Sequence, residues 1–207
     1  MDSPSGFDRV SSYYDNLVTL VFGRSMRRAQ TFFLDRVGSS FNILVLGGGT
    51  GWWMKEFLAS HPDCKIVFIE ASGRMIALAK QNVNADSRIE FRKGTEDSIT
   101  ELNHFDAVIT FCYLDLFSET KLKEVVRKIS RSVTPAAKWL VVDFVACKVW
   151  HKWMLFLMYK FFGVMAGLEN QELADWEKEL EEGDFREEET KLFYGNFIKS
   201  AIYGRKV

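Results

Sequence analysis

The chain is poor in the residues that staple or punctuate small folds. Its 207 residues hold three cysteines, three prolines and three histidines. Cys64, Cys112 and Cys147 are odd in number and lack metal-ligand spacing. They exclude a disulfide framework and a cysteine-rich metal centre, and they read as reduced thiols in a reducing compartment. Charge of one sign is also missing. Twenty-seven basic residues face 28 acidic ones for a net charge of −1, so no global basic field recruits nucleic acid. Long hydrophobic runs are absent as well. The most apolar stretch, residues 153–168, is interrupted by Lys160 and falls short of the roughly 20 residues that an integral span needs. Residues 1–6 lack the basic-then-apolar order of a secretory signal, and a cytoplasmic protein is the expectation.

What is present is an ordinary globular composition, 47% hydrophobic and 27% charged, long enough for one domain with a full core. Residues 169–189 hold 11 acids against Lys178 and Arg186, which reads as a solvated helix face and turn. Apolar residues at 26, 29, 33 and 37 predict a helix over 24–37, stopped by the glycine and serines at 38–40. Residues 43–46 (Ile-Leu-Val-Leu) predict a strand buried on both faces. Further strands are expected at 66–69, 89–92, 105–112 and 139–145. Helices are expected at 52–60, at 72–83 capped by Ser72, and from Ser118 to the break at Thr134-Pro135. Between 95 and 104 at most a short helix fits. The tail reads as an apolar helix over 153–168, an acidic helix over 171–182, and two strands, 185–193 and 196–203, across a Tyr194-Gly195 turn. Strands alternating with helices predict an α/β fold, a mostly parallel sheet with helices on both faces, closed by a C-terminal antiparallel hairpin.

The first strand runs into Gly47-Gly48-Gly49-Thr50-Gly51. A buried strand, a glycine turn and a helix are how such folds build nucleotide sites. A P-loop would need a Gly-Lys-Ser/Thr ending, which is absent. A dinucleotide fingerprint would need glycine where Trp52 stands, and an indole blocks the close helix–strand packing that glycine permits. Gly47, Gly49 and Gly51 instead follow a 1-3-5 spacing.

That spacing resembles motif I of the class I S-adenosylmethionine-dependent methyltransferases, nearest the small-molecule and quinone-biosynthesis C-methyltransferases. The resemblance extends over the chain: a seven-stranded, mostly parallel, doubly wound sheet with the closing hairpin and an N-terminal helical cap. It implies that Gly47, Gly48, Gly49 and Gly51 approach the methionine part of the cofactor. Glu70, ending the second strand, would accept both ribose hydroxyls. The run Glu70-Ala71-Ser72-Gly73-Arg74-Met75 resembles the family's acid-x-Ser-x-x-Met, which puts Ala71 and Met75 at the adenine. Thr95 and Glu96 stand where the family reads the adenine amino edge. Thr110 and Phe111 at the end of the fourth strand complete the implied cofactor set. The opening Phe7-Asp8-x-Val10-x-x-x-Tyr14-Asp15 is similar to the family's quinone branch, where the matching tyrosine closes over the cofactor. Two positions depart from the pattern: Val45 stands where an acid is usual, and Thr95 where aspartate is.

The expectation is one domain over 1–207: a helical cap (1–40), a cofactor-binding core (41–145), lid-like helices (146–183) and a closing hairpin (184–207). The implied activity is methyl transfer from S-adenosylmethionine, releasing S-adenosylhomocysteine, to a small apolar acceptor without metal. The alternative is a non-catalytic methyltransferase-fold protein that binds cofactor and a partner. No catalytic base is evident; Tyr14, Tyr113, Asp115 and His151 are pocket candidates, and Asp143 is a strand polar or a pocket wall. The apolar helix near 153–168 reads as a lid over the acceptor pocket. Peripheral contact with a membrane surface, or with a partner protein, is its other reading, and the oligomeric state is left open.

Overall fold

The computed structural model of the chain describes residues 14–37, 42–166 and 172–206. Two short helices come first, α1 (Tyr14–Phe22) and α2 (Ser25–Thr31). An alternating core follows: β1 (Asn42–Leu46), α3 (Met54–Ser60), β2 (Lys65–Glu70), α4 (Gly73–Asn82), β3 (Ile89–Lys93), β4 (Phe105–Phe111), α5 (Glu119–Ser132) and β5 (Val133–Phe144). The tail holds α6 (Val149–Ala166), α7 (Trp176–Glu182), β6 (Phe185–Phe193) and β7 (Ile198–Arg205). The strands form one seven-stranded sheet in the order β3-β2-β1-β4-β5-β7-β6, parallel from β3 to β5 and antiparallel at both pairings of β7.

Successive side chains of a strand point to opposite faces, so β1 feeds two cores. Ile43 and Val45 join Phe68, Ile109 and Val142 on the face that α2, α3, α4 and α6 cover. Leu44 and Leu46 join Val108, Trp139 and Val141 on the face that α5 and α7 cover. This is why the apolar run of β1 does not alternate. Strand order reverses between β1 and β4, and their C-terminal ends open the crevice where ligands bind in such sheets.

Element boundaries moved where side chains compete with pattern. The helix expected over 24–37 ends at Thr31, and a separate 3-10 turn spans Leu34–Arg36. The chain turns where Phe32 goes edge-on to Phe193 of β6 while Phe33 enters the core. β5 starts at Val133 rather than 139. Pro135 is tolerated because the β4–β5 register shifts between Phe105 and Ala107, leaving that end of the strand exposed. The acidic helix is shorter than expected: the carboxylate of Asp175 accepts from Lys178 N and starts α7 only at Trp176. Ser118 sits at the N-cap of α5 without a side-chain cap bond, whereas Ser72 does cap α4, its Oγ accepting from Met75 N at 3.1 Å. The residues expected to stop the second helix (38–40), and the opening motif up to residue 13, lie outside the described residues. The acidic block is paired more than solvated. Glu188 meets Lys138 at 2.6 Å, Glu189 meets Arg36 at 2.8 Å, and Lys199 bridges Glu187 and Glu177. Among the described residues no helix is long and apolar enough to cross a membrane.

Candidate functional site

The site begins where β1 ends. Gly47 and Gly49 hold φ of +62° and +58°, conformations that strain any residue with a Cβ. A Cβ on Gly47 would stand 2.5 Å from the Tyr113 ring, whereas one on Gly49 would meet no atom within 4 Å. The turn therefore leans on Tyr113 at its first glycine and faces open space at its third. Glu70, the last residue of β2 and 8% exposed, holds the turn in place. Its Oε2 accepts from Gly49 N at 3.0 Å and its Oε1 from Ser72 N at 2.9 Å. One carboxylate thus ties the turn after β1 to the entry of α4.

A single cavity runs from this turn across the C-terminal ends of β1, β2 and β4. Gly47, Gly48, Gly49, Glu70, Ala71, Met75 and Thr95 wall one end. Phe111, Tyr113, Asp115, Phe144, Met158, Tyr159 and Phe162 wall the other. From the N-terminal helices, Val18, Phe22 and Met26 complete it. At the rim the Trp52 indole donates to Gln30 Oε1 at 3.0 Å, and the Arg27 guanidinium lies 4.8 Å above the Trp52 ring, which latches α2 over the glycine turn.

The far end carries two buried carboxyls. Asp143, fully buried in β5, accepts from the backbone N–H groups of Tyr113 (3.2 Å), Leu114 (2.9 Å) and Asp115 (3.4 Å) through Oδ2. Phe144 N–H reaches its Oδ1 at 2.8 Å. The Asp115 carboxyl shares a hydrogen bond with Asp143. Burial raises both groups, and the Asp143 charge raises Asp115 well above the carboxylate range. The four backbone donors limit the rise of Asp143 to about 6. Environments that push two carboxyls apart assign the proton: Asp115 carries it and Asp143 the charge. Burial, then Glu96, raises the Tyr113 phenol, whose Oη donates to Glu96 Oε2 at 3.0 Å. Burial likewise raises Tyr159 and Cys112. With the protons of Tyr113, Asp115 and Tyr159 turned to Glu96, Asp143 and the Asp115 carbonyl, this end of the cavity offers apolar surface and no phenolate or thiolate.

Asp115 binds its proton more tightly folded than unfolded, so folding loses stability as pH rises above about 4, the unfolded value. Asp115→Asn, whose amide donates to Asp143 as the protonated acid does, should match the native chain in acid. At pH 8 it should melt higher and flatten the pH–stability curve, as read by thermal melts across pH. An unchanged slope would overturn the proton assignment.

The other predicted residues lie elsewhere. Gly51 packs against Met54 and Ala79 of the following helices. Thr110 is buried and accepts from the Trp139 indole at 3.0 Å. Glu96 is buried behind the wall, between Tyr113 and Lys121 (3.1 Å). His151 is fully buried at the start of α6. Its Nδ1 accepts from Cys147 N and Lys148 N, which places its proton on Nε2, 3.3 Å from the Gly195 carbonyl. The ring is spent on capping a helix and docking a turn. Tyr14 begins α1; its side chain lies outside the described residues. Val45 is buried on the α3 and α4 face, its Cγ1 against Gly48, and is no part of the cavity wall. The sequence reading missed Arg27, Gln30 and the positive role of Trp52, since it took Trp52 only as an obstacle to a dinucleotide turn.

Residues 43–136 match the family model described as a methyltransferase domain. The chain is 24% identical over 145 residues to the demethylmenaquinone methyltransferase of Chlamydia pneumoniae, covering 70% of this chain and 62% of that protein's length. Among solved structures, a chain from the complex between the Haloferax volcanii Trm112 methyltransferase activator and a methyltransferase superposes with a TM-score of 0.73 at 10% identity over 100% of both chains. An S-adenosylmethionine-dependent methyltransferase from Mesorhizobium loti superposes with a TM-score of 0.68 at 14% identity, over 86% of this chain and 98% of that one. At such identities the superpositions establish the shared fold.

Proposed function

We propose, from the class I S-adenosylmethionine-dependent methyltransferase domain that this chain carries, that it transfers a methyl group from that cofactor to a small, apolar acceptor. The observation that supports this reading is the continuity of the cavity, from a glycine turn and a buried acid at one end to an apolar chamber at the other. The first end fits the cofactor. The open space at Gly49 admits it, Glu70 faces it with carboxylate oxygens suited to ribose hydroxyls, and Ala71, Met75 and Thr95 line the adenine side. Glu96 and Thr110 act behind this wall, Glu96 by holding Tyr113 and Thr110 by packing β4 to β5. Val45 carries no charge towards the site and lies behind the cavity wall, so it makes no contact of the kind the usual acid would.

S-adenosylmethionine supplies its methyl group on a positively charged sulfur, already activated for transfer. The chain therefore has to align and desolvate, and alignment is worth roughly 7–11 kcal/mol of barrier. Phe111, Phe144, Met158 and Phe162 provide the dry wall against which an apolar acceptor lies. Asp115 spends its one proton on Asp143 and does not act as a base. The acceptor then arrives already nucleophilic, as an enolate or phenolate-like ring. The name of the Chlamydia relative makes quinone-type rings the first acceptors to try.

Two measurements test this. In a thermal-shift comparison, S-adenosylhomocysteine should raise the melting temperature and NADH should not; stabilisation by NADH alone would overturn the cofactor. With a panel of hydroxylated aromatic and quinol acceptors, S-adenosylhomocysteine should accumulate. Cofactor binding with no product from any member would favour a non-catalytic cofactor-fold protein.

A further inference from the structure

α6 is apolar all round, and the fold covers only half of it. Its inner side carries Leu155 and Tyr159 into the core and Met158 and Phe162 to the cavity. Its outer side presents Val149, Trp153, Phe156, Leu157, Phe161 and Val164 to solvent, with Trp153 65% and Val164 80% exposed. These positions recur every three or four residues and form one stripe along the helix. A stripe of this size on a free surface marks a docking site.

Charge decides the occupant. Lys152 and Lys160 flank the stripe, and Lys148 stands at its start. On the same face of the sheet, α2 exposes Arg27 and Arg28, with Arg24 at its N-cap, and α1 exposes Leu20. Neither 16–34 nor 144–168 contains an acidic residue. Glu177, Glu179, Glu181 and Glu182 are carried by α7, on the opposite face of the sheet, and Glu187, Glu188 and Glu189 by the edge strand β6. A second copy packed face to face would set these cations against each other. Aromatic and aliphatic side chains ringed by lysine and arginine match a lipid surface, where the apolar stripe enters the acyl boundary and the cations meet headgroups.

We propose that the outer face of α6 docks on an anionic lipid bilayer. The helix is then a two-sided element: its inner side walls the cavity and its outer side lies in the membrane interface. This reading does not depend on the methyl-transfer chemistry.

The test is co-sedimentation of the full chain with vesicles of phosphatidylcholine alone and of equal parts phosphatidylcholine and phosphatidylglycerol. Binding is expected to the mixed vesicles and to weaken as salt is raised. Trp153→Glu/Leu157→Glu should reduce it at least tenfold, and Lys152→Glu/Lys160→Glu by about fivefold per lysine. Both variants should keep the thermal shift with S-adenosylhomocysteine, which shows them folded. Absence of that shift in the native chain would count against the cofactor reading alone. No binding of the native chain, or equal binding by the apolar variant, would overturn the proposal. So would a dimer in size-exclusion chromatography that Trp153→Glu/Leu157→Glu dissolves.

Discussion

Glu70→Ala should weaken S-adenosylhomocysteine binding about a hundredfold in titration calorimetry. Hydrogen bonds to a charged group are worth about 1.5 kcal/mol or more each, and two ribose hydroxyls lost together approach 3 kcal/mol. The geometry adds a second loss. The same carboxylate holds Gly49 N–H and Ser72 N–H, so its removal loosens the glycine turn before the cofactor arrives. Glu70→Gln separates the two contributions. It keeps one acceptor oxygen and presents an amide donor towards the other N–H, and it should fall between native and alanine. An affinity within threefold of native in the alanine variant would sink the ribose assignment.

The largest effect on stability is expected at Asp143. Its carboxylate accepts from four backbone N–H groups and fastens the 3-10 turn Leu114–Leu116 to the end of β5. Each orphaned buried donor costs about 1–3 kcal/mol, so Asp143→Ala should lose about 4 kcal/mol or more. That corresponds to a melting temperature lower by roughly 8–16 °C for a domain of this size. The protonated Asp115 loses its acceptor as well, which adds to the loss. Asp115→Asn should behave oppositely at pH 8, gaining stability where Asp143→Ala loses it. Chemical denaturation of both variants checks the contrast, and an Asp143→Ala midpoint equal to native would show the four bonds to be dispensable.

The sheet was legible in the sequence because burial on both faces leaves a mark. Residues 43–46 and 105–112 read as strands because positions buried on both faces are filled mainly by apolar side chains, with Thr110 admitted only where the Trp139 indole pairs it. The hairpin was legible from Tyr194-Gly195, where φ is positive at both residues. Boundaries were less legible where a side chain, not the pattern, ends the element, as at Phe32 and Asp175. Within the site, the turn and Glu70 are adjacent to their strand ends in sequence, so spacing located them. The Asp115–Asp143 pair and the Arg27–Trp52–Gln30 latch join distant segments, and no local pattern carries such a pairing. His151 shows the converse. A lone histidine beside an apolar helix draws attention as a base, but its ring is consumed by Cys147, Lys148 and Gly195.

The closing strand has a consequence for how the molecule lives at high concentration. Among the described residues β6 is the last strand of the sheet, and one of its edges has no neighbouring strand. Such an edge is a template for pairing with another chain and, through it, for aggregation. Glu187, Glu188 and Glu189 crowd the middle of that edge. Each is held by a cation, Glu187 by Lys199, Glu188 by Lys138 and Glu189 by Arg36, so an approaching copy would have to bury or break three ion pairs to add its backbone to the edge. The acidic stretch that stands out in the sequence thus keeps a seven-stranded sheet from becoming a fourteen-stranded one.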